Sequence, residues 1–246
     1  MKQNKYDDPV FFETYSRMPR SVHGLSEAGE WYALRSLLPE LRGKRLLDLG
    51  CGFGWHSRYA REQQARSVLG VDISEKMLTR ARESTDDAAI QYRQSAIEDL
   101  DFDQDVFDVV LSSLALHYLD RFDLVSQRVC RWLTPGGVFV FSVEHPVFTA
   151  IAAQQWYCGP DGSRLHWPVD DYFRQGVRHT QWLTEDVIKY HRTITTYINT
   201  LIDAGFRILN ASEAEPLPEI PRDRQDWTDE QRRPMFLLIS AAKPDS

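Results

Sequence analysis

Cysteine is scarce: Cys51, Cys130 and Cys158 are the three in 246 residues, and none stands at metal-ligand or redox spacing from another. That count excludes a disulfide framework and a zinc site, so no metal and a reducing, cytoplasmic setting are expected. Positive charge is also in short supply. Lys and Arg number 29 against 36 Asp and Glu, a net charge of −7, which leaves no cationic field for a phosphate backbone or an anionic bilayer. Neither nucleic acid nor membrane is an expected partner. No apolar run approaches the roughly 18 residues of a membrane span, and Met1 to Pro9 lack the apolar core of a signal peptide. Repeats and low-complexity tracts are absent as well. What remains is an ordinary globular mixture, 42% hydrophobic and 26% charged, with material for a sizeable core and no sign of disorder, collagen or coiled coil.

The middle of the chain alternates short apolar runs with helical spacing. Strand candidates are 45–49, 67–72, 90–94, 107–112 and 137–143. Between the last two, Phe122, Val125, Val129 and Leu133 line one helix face, and Thr134-Pro135-Gly136-Gly137 reads as a stop and turn. Such alternation predicts a parallel sheet with helices on both faces, because parallel neighbours need crossover connections. Two later strands, 206–210 and 235–242, flank a Pro- and charge-rich stretch. From His145 to Arg192 the pattern breaks into an aromatic-rich insertion. After it, Val187, Ile194, Tyr197, Ile198, Leu201 and Ile202 mark an amphipathic helix closed by Gly205. Ahead of the first strand, Trp31, Leu34 and Leu38 mark another, closed by Pro39 and Gly43.

The most informative segment is Leu46-Leu47-Asp48-Leu49-Gly50-Cys51-Gly52-Phe53-Gly54-Trp55. A strand runs into three alternating glycines and then a helix, the arrangement that lets bare backbone lie against a nucleotide-like ligand and aims a helix N-terminus at an anion. The dinucleotide fingerprint wants glycine at position 55, where this chain has Trp55, so a smaller anion such as a carboxylate is favoured over a pyrophosphate. Asp72, which ends the second strand, is placed to accept from both ribose hydroxyls, Ser74 being the better cap for the helix that follows. Asp48 is placed to bond loop amides or the ligand's amine.

Together with Phe107-Asp108-Val109-Val110 and Leu133-Thr134-Pro135-Gly136-Gly137, these residues resemble the class I S-adenosylmethionine-dependent methyltransferases, and most closely their small-molecule branch, methyltransferase type 11, which includes the ubiquinone-biosynthesis-like enzymes. The resemblance covers about 45–143 and continues weakly to the last strand. It implies S-adenosyl-L-methionine as cofactor and a Rossmann-like α/β fold: a seven-stranded, mostly parallel sheet with helices on both faces, an antiparallel last strand, and the insertion after the fifth. The organisation it suggests is an N-terminal lid and helix over 1–44, then the cofactor-binding domain over 45–246 with a substrate lid at 145–192. Many relatives carry an Asp after the third strand for the adenine amine. Here the segment reads Gln94-Ser95-Ala96-Ile97-Glu98, which moves the adenine contacts to Ala96 and Ile97, with Glu98 as acceptor.

The cofactor set expected is thus Asp48, Gly50, Cys51, Gly52, Gly54, Asp72, Ile73, Ala96, Ile97, Glu98 and Ser112, with Tyr15 or Arg20 of the N-terminal stretch reaching the methionine carboxylate. A neutral imidazole can take a proton from a nucleophile at physiological pH. His117 and His145, just after the fourth and fifth strands, are the candidate bases. Tyr118, Tyr172, Trp182, His191 and Arg192 are candidate substrate contacts, and the mixture of aromatics with Arg174, Arg178, His179 and Arg192 suits an aromatic or carboxylic small molecule. Arg164 and Arg222 read as solvated surface. Competing readings are a nicotinamide-dependent oxidoreductase, a cofactor-binding protein without turnover, and a nucleic-acid methyltransferase. The first lacks its glycine and a Tyr/Lys relay, and the third lacks its tetrapeptide, the chain reading Ser112-Ser113-Leu114-Ala115 there. A monomer or homodimer is expected.

Overall fold

The computed structural model describes residues 2–215 and 225–245, so Arg222 lies outside the described residues. Strands β1 (Arg45–Leu49), β2 (Ser67–Asp72), β3 (Ile90–Gln94), β4 (Phe107–Ser113) and β5 (Leu133–Glu144) run parallel to one another. Two short hairpins follow, β6 (Tyr157–Cys158) with β7 (Arg164–His166) and β8 (Gly176–Trp182) with β9 (Thr184–His191). Finally β10 (Arg207–Glu213) and β11 (Phe236–Ala242) complete a sheet in the order β10-β11-β5-β4-β1-β2-β3, with β11 antiparallel to both its neighbours. The expected fold is the one observed. Strand order reverses between β1 and β4, and an open α/β sheet leaves a crevice at such a point, outside the carboxyl ends of the strands.

Nine helices are named here: α1 (Pro9–Ser16), α2 (Pro19–His23), α3 (Trp31–Leu37), α4 (Trp55–Glu62), α5 (Glu75–Glu83), α6 (Phe122–Trp132), α7 (Pro146–Thr149), α8 (Ile194–Asp203) and α9 (Gln225–Glu230). Period-2 alternation along the strands feeds two cores. Leu47, Leu49, Val110, Phe139 and Phe141 meet Phe122, Val129, Trp132 and Tyr197 of α6 and α8, while Leu46, Val68, Val109 and Val140 meet Leu34 and Ala60 of α3 and α4. Asp48 shares its strand face with Leu46 and is thereby committed to the α4 side.

Three local readings need correction. The Thr134-Pro135-Gly136-Gly137 turn is absorbed into β5 as an irregularity: Phe107 pairs with Leu133 and Val109 with Val138, so four β5 residues stand against one on β4. Gly136, at φ 71°, makes that detour, and its N–H donates to the Lys243 carbonyl at 3.0 Å. Val187 belongs to β9, since α8 starts only at Ile194 behind the Thr193 cap. The insertion is also more regular than an irregular lid, being built on the two hairpins.

Candidate functional site

A cavity of about 280 Å³ opens at the reversal point, bounded by the β1–α4 loop, the ends of β2, β4 and β5, and the N-terminal segment. Each loop glycine has its own reason. A Cβ on Gly50 would lie 2.4 Å from the Ala115 methyl, and one on Gly54 2.2 Å from the Tyr92 hydroxyl, so both are needed for close packing. Gly52 differs. It lines the cavity, has φ 52°, and a Cβ there would meet no protein atom within 4 Å. Most of the loop's N–H groups are spent within the protein: Gly50 and Cys51 donate to the Val71 carbonyl and Gly54 to that of Cys51.

Asp72 closes this end of the cavity. Its Oδ2 accepts the Gly52 N–H and its Oδ1 the Ser74 N–H, both at 2.9 Å, leaving a further lone pair on each oxygen. Burial pushes its carboxyl up to about 6. Asp48 lies elsewhere. It is fully buried, its Oδ2 accepts from the Ser57 hydroxyl at 2.7 Å, and burial pushes it up to about 7. Its Oδ1 has no partner, so Asp48 is corrected from a ligand contact to a buried support under α4. Ile73, Ala96, Ile97 and Glu98 line the cavity beside Asp72.

The N-terminal segment forms the opposite wall. Asp7 Oδ1 accepts from the Ser74 hydroxyl at 2.6 Å and the Lys76 N–H at 3.1 Å, Asn4 donates to the Ile73 carbonyl at 3.3 Å, and Gln3 makes a two-way pair with the backbone of Ile188 in β9. So fixed, the segment presents Tyr6, Phe11 and Tyr15 to the cavity. Tyr6 meets Tyr15 edge-on at 5.2 Å and Tyr118 at 6.4 Å, and Phe11 meets Trp182 at 5.4 Å. Arg20 also lines the cavity and donates at 2.9 Å to Glu30, a buried acid that accepts from Ser113 as well.

At the β4–β5 end stand His117, Tyr118 and Glu144. The His117 Nδ1 accepts the Glu144 N–H over a long 3.4 Å, which leaves the proton of the neutral ring on Nε2. Burial, with Lys189 and Arg192 nearby, lowers this imidazole to about 4. Glu144 Oε1 accepts from Lys189 Nζ at 2.5 Å and Oε2 from Gln154 at 3.0 Å, while Lys189 also donates to Gln154 at 3.1 Å. Burial alone would raise the Glu144 carboxyl, but the neighbouring imidazole and the Lys189 ammonium hold it below the usual range. Lys189 is 1% exposed, with its ammonium 5.4 Å from the Trp182 ring centre.

Several expected residues lie outside the cavity. His145 caps α7, its Nδ1 accepting the Val147 N–H at 3.0 Å, and its Nε2 is 2.8 Å from a Glu213 oxygen, so it faces away from any substrate. Ser112 donates to the Leu49 carbonyl at 2.8 Å and is fully buried; its successors Ser113, Leu114 and Ala115 reach the cavity instead. His191 is held between the Thr149 hydroxyl and the Tyr172 carbonyl, and Arg192 donates to the carbonyls of Leu119 and Asp120. Tyr172 accepts the Ile194 N–H. Arg192 and Tyr172 tie the insertion to the body of the protein, and His191 braces it internally. Arg178 is likewise spent on backbone carbonyls, and His179 pairs with Asp186 at the exposed side. Arg164 is about 40% exposed but bonds Asp229. The Cys51 side chain packs beneath Gly70, and the Cys51 and Gly54 backbones shape the loop without lining the cavity.

Glu144, Lys189, Gln154, Glu30 and Tyr6 escaped the sequence reading. For Lys189 a signal existed: Val187, Lys189 and His191 alternate, and all three are buried on one face of β9. Among the described residues no group of acids, histidines and cysteines is arranged to hold a metal, and no helix is long and apolar enough to cross a membrane.

Residues 47–141 match the family model of a methyltransferase domain. A protein of known structure from Listeria monocytogenes, assigned to the S-adenosylmethionine-dependent methyltransferases, is 53% identical with TM-score 0.85, covering 89% of this chain and 99% of its own. An S-adenosylmethionine-dependent methyltransferase from Mesorhizobium loti is 46% identical with TM-score 0.83, covering 89% and 100%. A fatty-acid O-methyltransferase from Mycolicibacterium smegmatis is 31% identical over 151 residues, 58% of this chain and 55% of that protein.

Proposed function

The chain belongs to the S-adenosylmethionine-dependent methyltransferases and takes its methyl group from S-adenosylmethionine, and on that premise we propose that it methylates a small, flat aromatic molecule held in the cavity under the N-terminal segment. The observation that carries this reading is that one cavity joins Gly52 and Asp72 to a wall of Tyr6, Phe11, Tyr15, Tyr118 and Trp182. The cofactor fits the first part. Gly52 leaves open a position that a Cβ would fill, Asp72 keeps acceptor capacity for two ribose hydroxyls, and Ala96 with Ile97 offers an apolar bed for adenine. Glu98, Ile73 and Ser113 border that bed, and Arg20, steadied by Glu30, is the cation for the methionine carboxylate.

When bound, the cofactor supplies an activated methyl group for in-line transfer to a nucleophile. The chain's own contribution is alignment and exclusion of water. The edge-on rings grip a planar ring system, and the N-terminal segment walls one side of the cavity. His117, neutral with its proton on Nε2, donates to the substrate and positions it. A carboxylate as methyl acceptor is disfavoured, since at that end Lys189 is bound to Glu144 and Arg192 to carbonyls.

The test is calorimetry followed by turnover. S-adenosylhomocysteine should bind one-to-one and Asp72→Ala should weaken it at least about tenfold, as losing charge-assisted hydrogen bonds implies. A metabolite screen read by S-adenosylhomocysteine release should then yield aromatic substrates. Turnover only of aliphatic acids would overturn the substrate class while leaving the cofactor site standing.

A further inference from the structure

Glu144 is the only carboxylate lining the acceptor end among the described residues, and nothing in the cofactor's binding requires it. Its surroundings are built, not incidental. Both oxygens are held, one by Lys189 and one by Gln154, and these two donors bond each other. Lys189 comes from β9 and Gln154 from the loop after α7, so the insertion spends a fully buried ammonium on orienting one side chain of β5. A buried pair of this kind stabilises a fold no better than apolar packing would. A carboxylate in the wall of a ligand cavity has a use, since each oxygen retains a lone pair after accepting one hydrogen bond. Next to it, the Nε2 proton of His117 is a donor. The acceptor end thus pairs a fixed anionic acceptor with a fixed neutral donor.

We propose that Glu144 is a catalytic and specificity-determining residue that accepts a hydrogen bond from an N–H or O–H on the methyl acceptor, takes that proton at transfer, and turns away carboxylates. The proposal rests on the methyltransferase reading above and deepens it. As the new bond from acceptor to carbon forms with a lone pair of the acceptor, the carbon–sulfur pair leaves with sulfur. The acceptor's bond to hydrogen then breaks with its electrons staying on the acceptor, and the proton passes to Glu144, which later yields it to water. Lys189 and Gln154 are positioning residues that keep the carboxylate aimed.

The test uses three ligands of one shape and different charge, tryptamine, indole-3-acetamide and indole-3-acetate, titrated by calorimetry against the full chain saturated with S-adenosylhomocysteine. The two ligands whose side chain ends in a hydrogen-bearing nitrogen should bind at least about tenfold tighter than the acid, whose side chain ends in a carboxylate, the effect of one hydrogen bond to a charged group. In Glu144→Gln that preference should shrink to within about threefold, with S-adenosylhomocysteine affinity unmoved. Because Glu144→Gln strands the Lys189 charge, the double variant Glu144→Gln/Lys189→Met serves as a second reading and should show the same loss of preference. Equal binding of the acid by the parent, no binding of any of the three, or an unchanged preference in the folded double variant would overturn the proposal. Loss of S-adenosylhomocysteine binding by the parent would instead overturn the cofactor assignment.

Discussion

Two aspartates 24 residues apart in sequence show how strand position decides a carboxylate's work. Asp72 ends its strand and looks into the cavity, whereas Asp48, on the same sheet face but inside its strand, is sealed under α4. Asp72 titrates near 6, so it is ionised above that pH and able to accept from ribose. Affinity for S-adenosylhomocysteine should accordingly be flat above about pH 7 and fall as pH drops below about 6. Asp72→Asn should be weaker and insensitive to pH over that range; a parallel fall in the variant would assign the titration to another group. For Asp48 the sign concerns stability. Its folded value, about 7, lies above the unfolded one, so the folded state binds the proton more tightly and stability is lost as pH rises from about 4 through about 7. Asp48→Asn, keeping shape and the Ser57 bond, should therefore be more stabilising at pH 8 than at pH 5, by on the order of 2 kcal/mol. Denaturant melts at both pH values check it, and equal effects at both would mean that Asp48 is not charged at pH 8.

At the scale of elements, the N-terminal segment matters more to the cavity than its place outside the sheet suggests. Asp7 and Asn4 fasten it to the start of α5, and Gln3 to β9. It bridges the Asp72 side and the insertion, so under the proposed site its release should speed cofactor exchange. Asp7→Ala should raise the dissociation rate of S-adenosylhomocysteine several-fold in stopped-flow while leaving the melting temperature within a few degrees, a cap being typically worth about 1 kcal/mol. The insertion contributes Trp182 and Val187 to the cavity and otherwise braces it. Trp182→Ala should raise the substrate KM with cofactor affinity nearly unchanged, a split that initial rates and calorimetry resolve together. Legibility follows the same division. Strands β1 to β4, the glycine loop and Asp72 are read from local pattern, because each depends on period and turn chemistry within a few residues, whereas Ala96 to Glu98 come from the family resemblance. His145 and Ser112 are read from nearness to strand ends, and Tyr172, His191 and Arg192 from the composition of the insertion, yet their side chains turn elsewhere by one residue of register or by a hairpin that aromatic composition does not announce. Glu144 and Lys189 are 45 residues apart, and no local pattern joins them.

At the scale of the molecule, the sheet's reversal between β1 and β4 explains why all these groups converge. β1 and β2 deliver the glycines and Asp72 to one side of the crevice, while β4 and β5 deliver His117, Tyr118 and Glu144 to the other. The chain outside the sheet, at the N-terminus and after β5, closes the crevice into a cavity. The proposed cofactor and substrate sites thus face each other across the reversal point, bordered by segments that lie outside the sheet. The most direct measurement is a crystal structure of the full chain grown with S-adenosylhomocysteine. The ribose should lie on Asp72 beside Gly52, with the sulfur directed toward His117 and Glu144 beneath Tyr6 and Tyr15. Density for the ligand anywhere else, or a sulfur pointing away from the β4–β5 end, would contradict the site described.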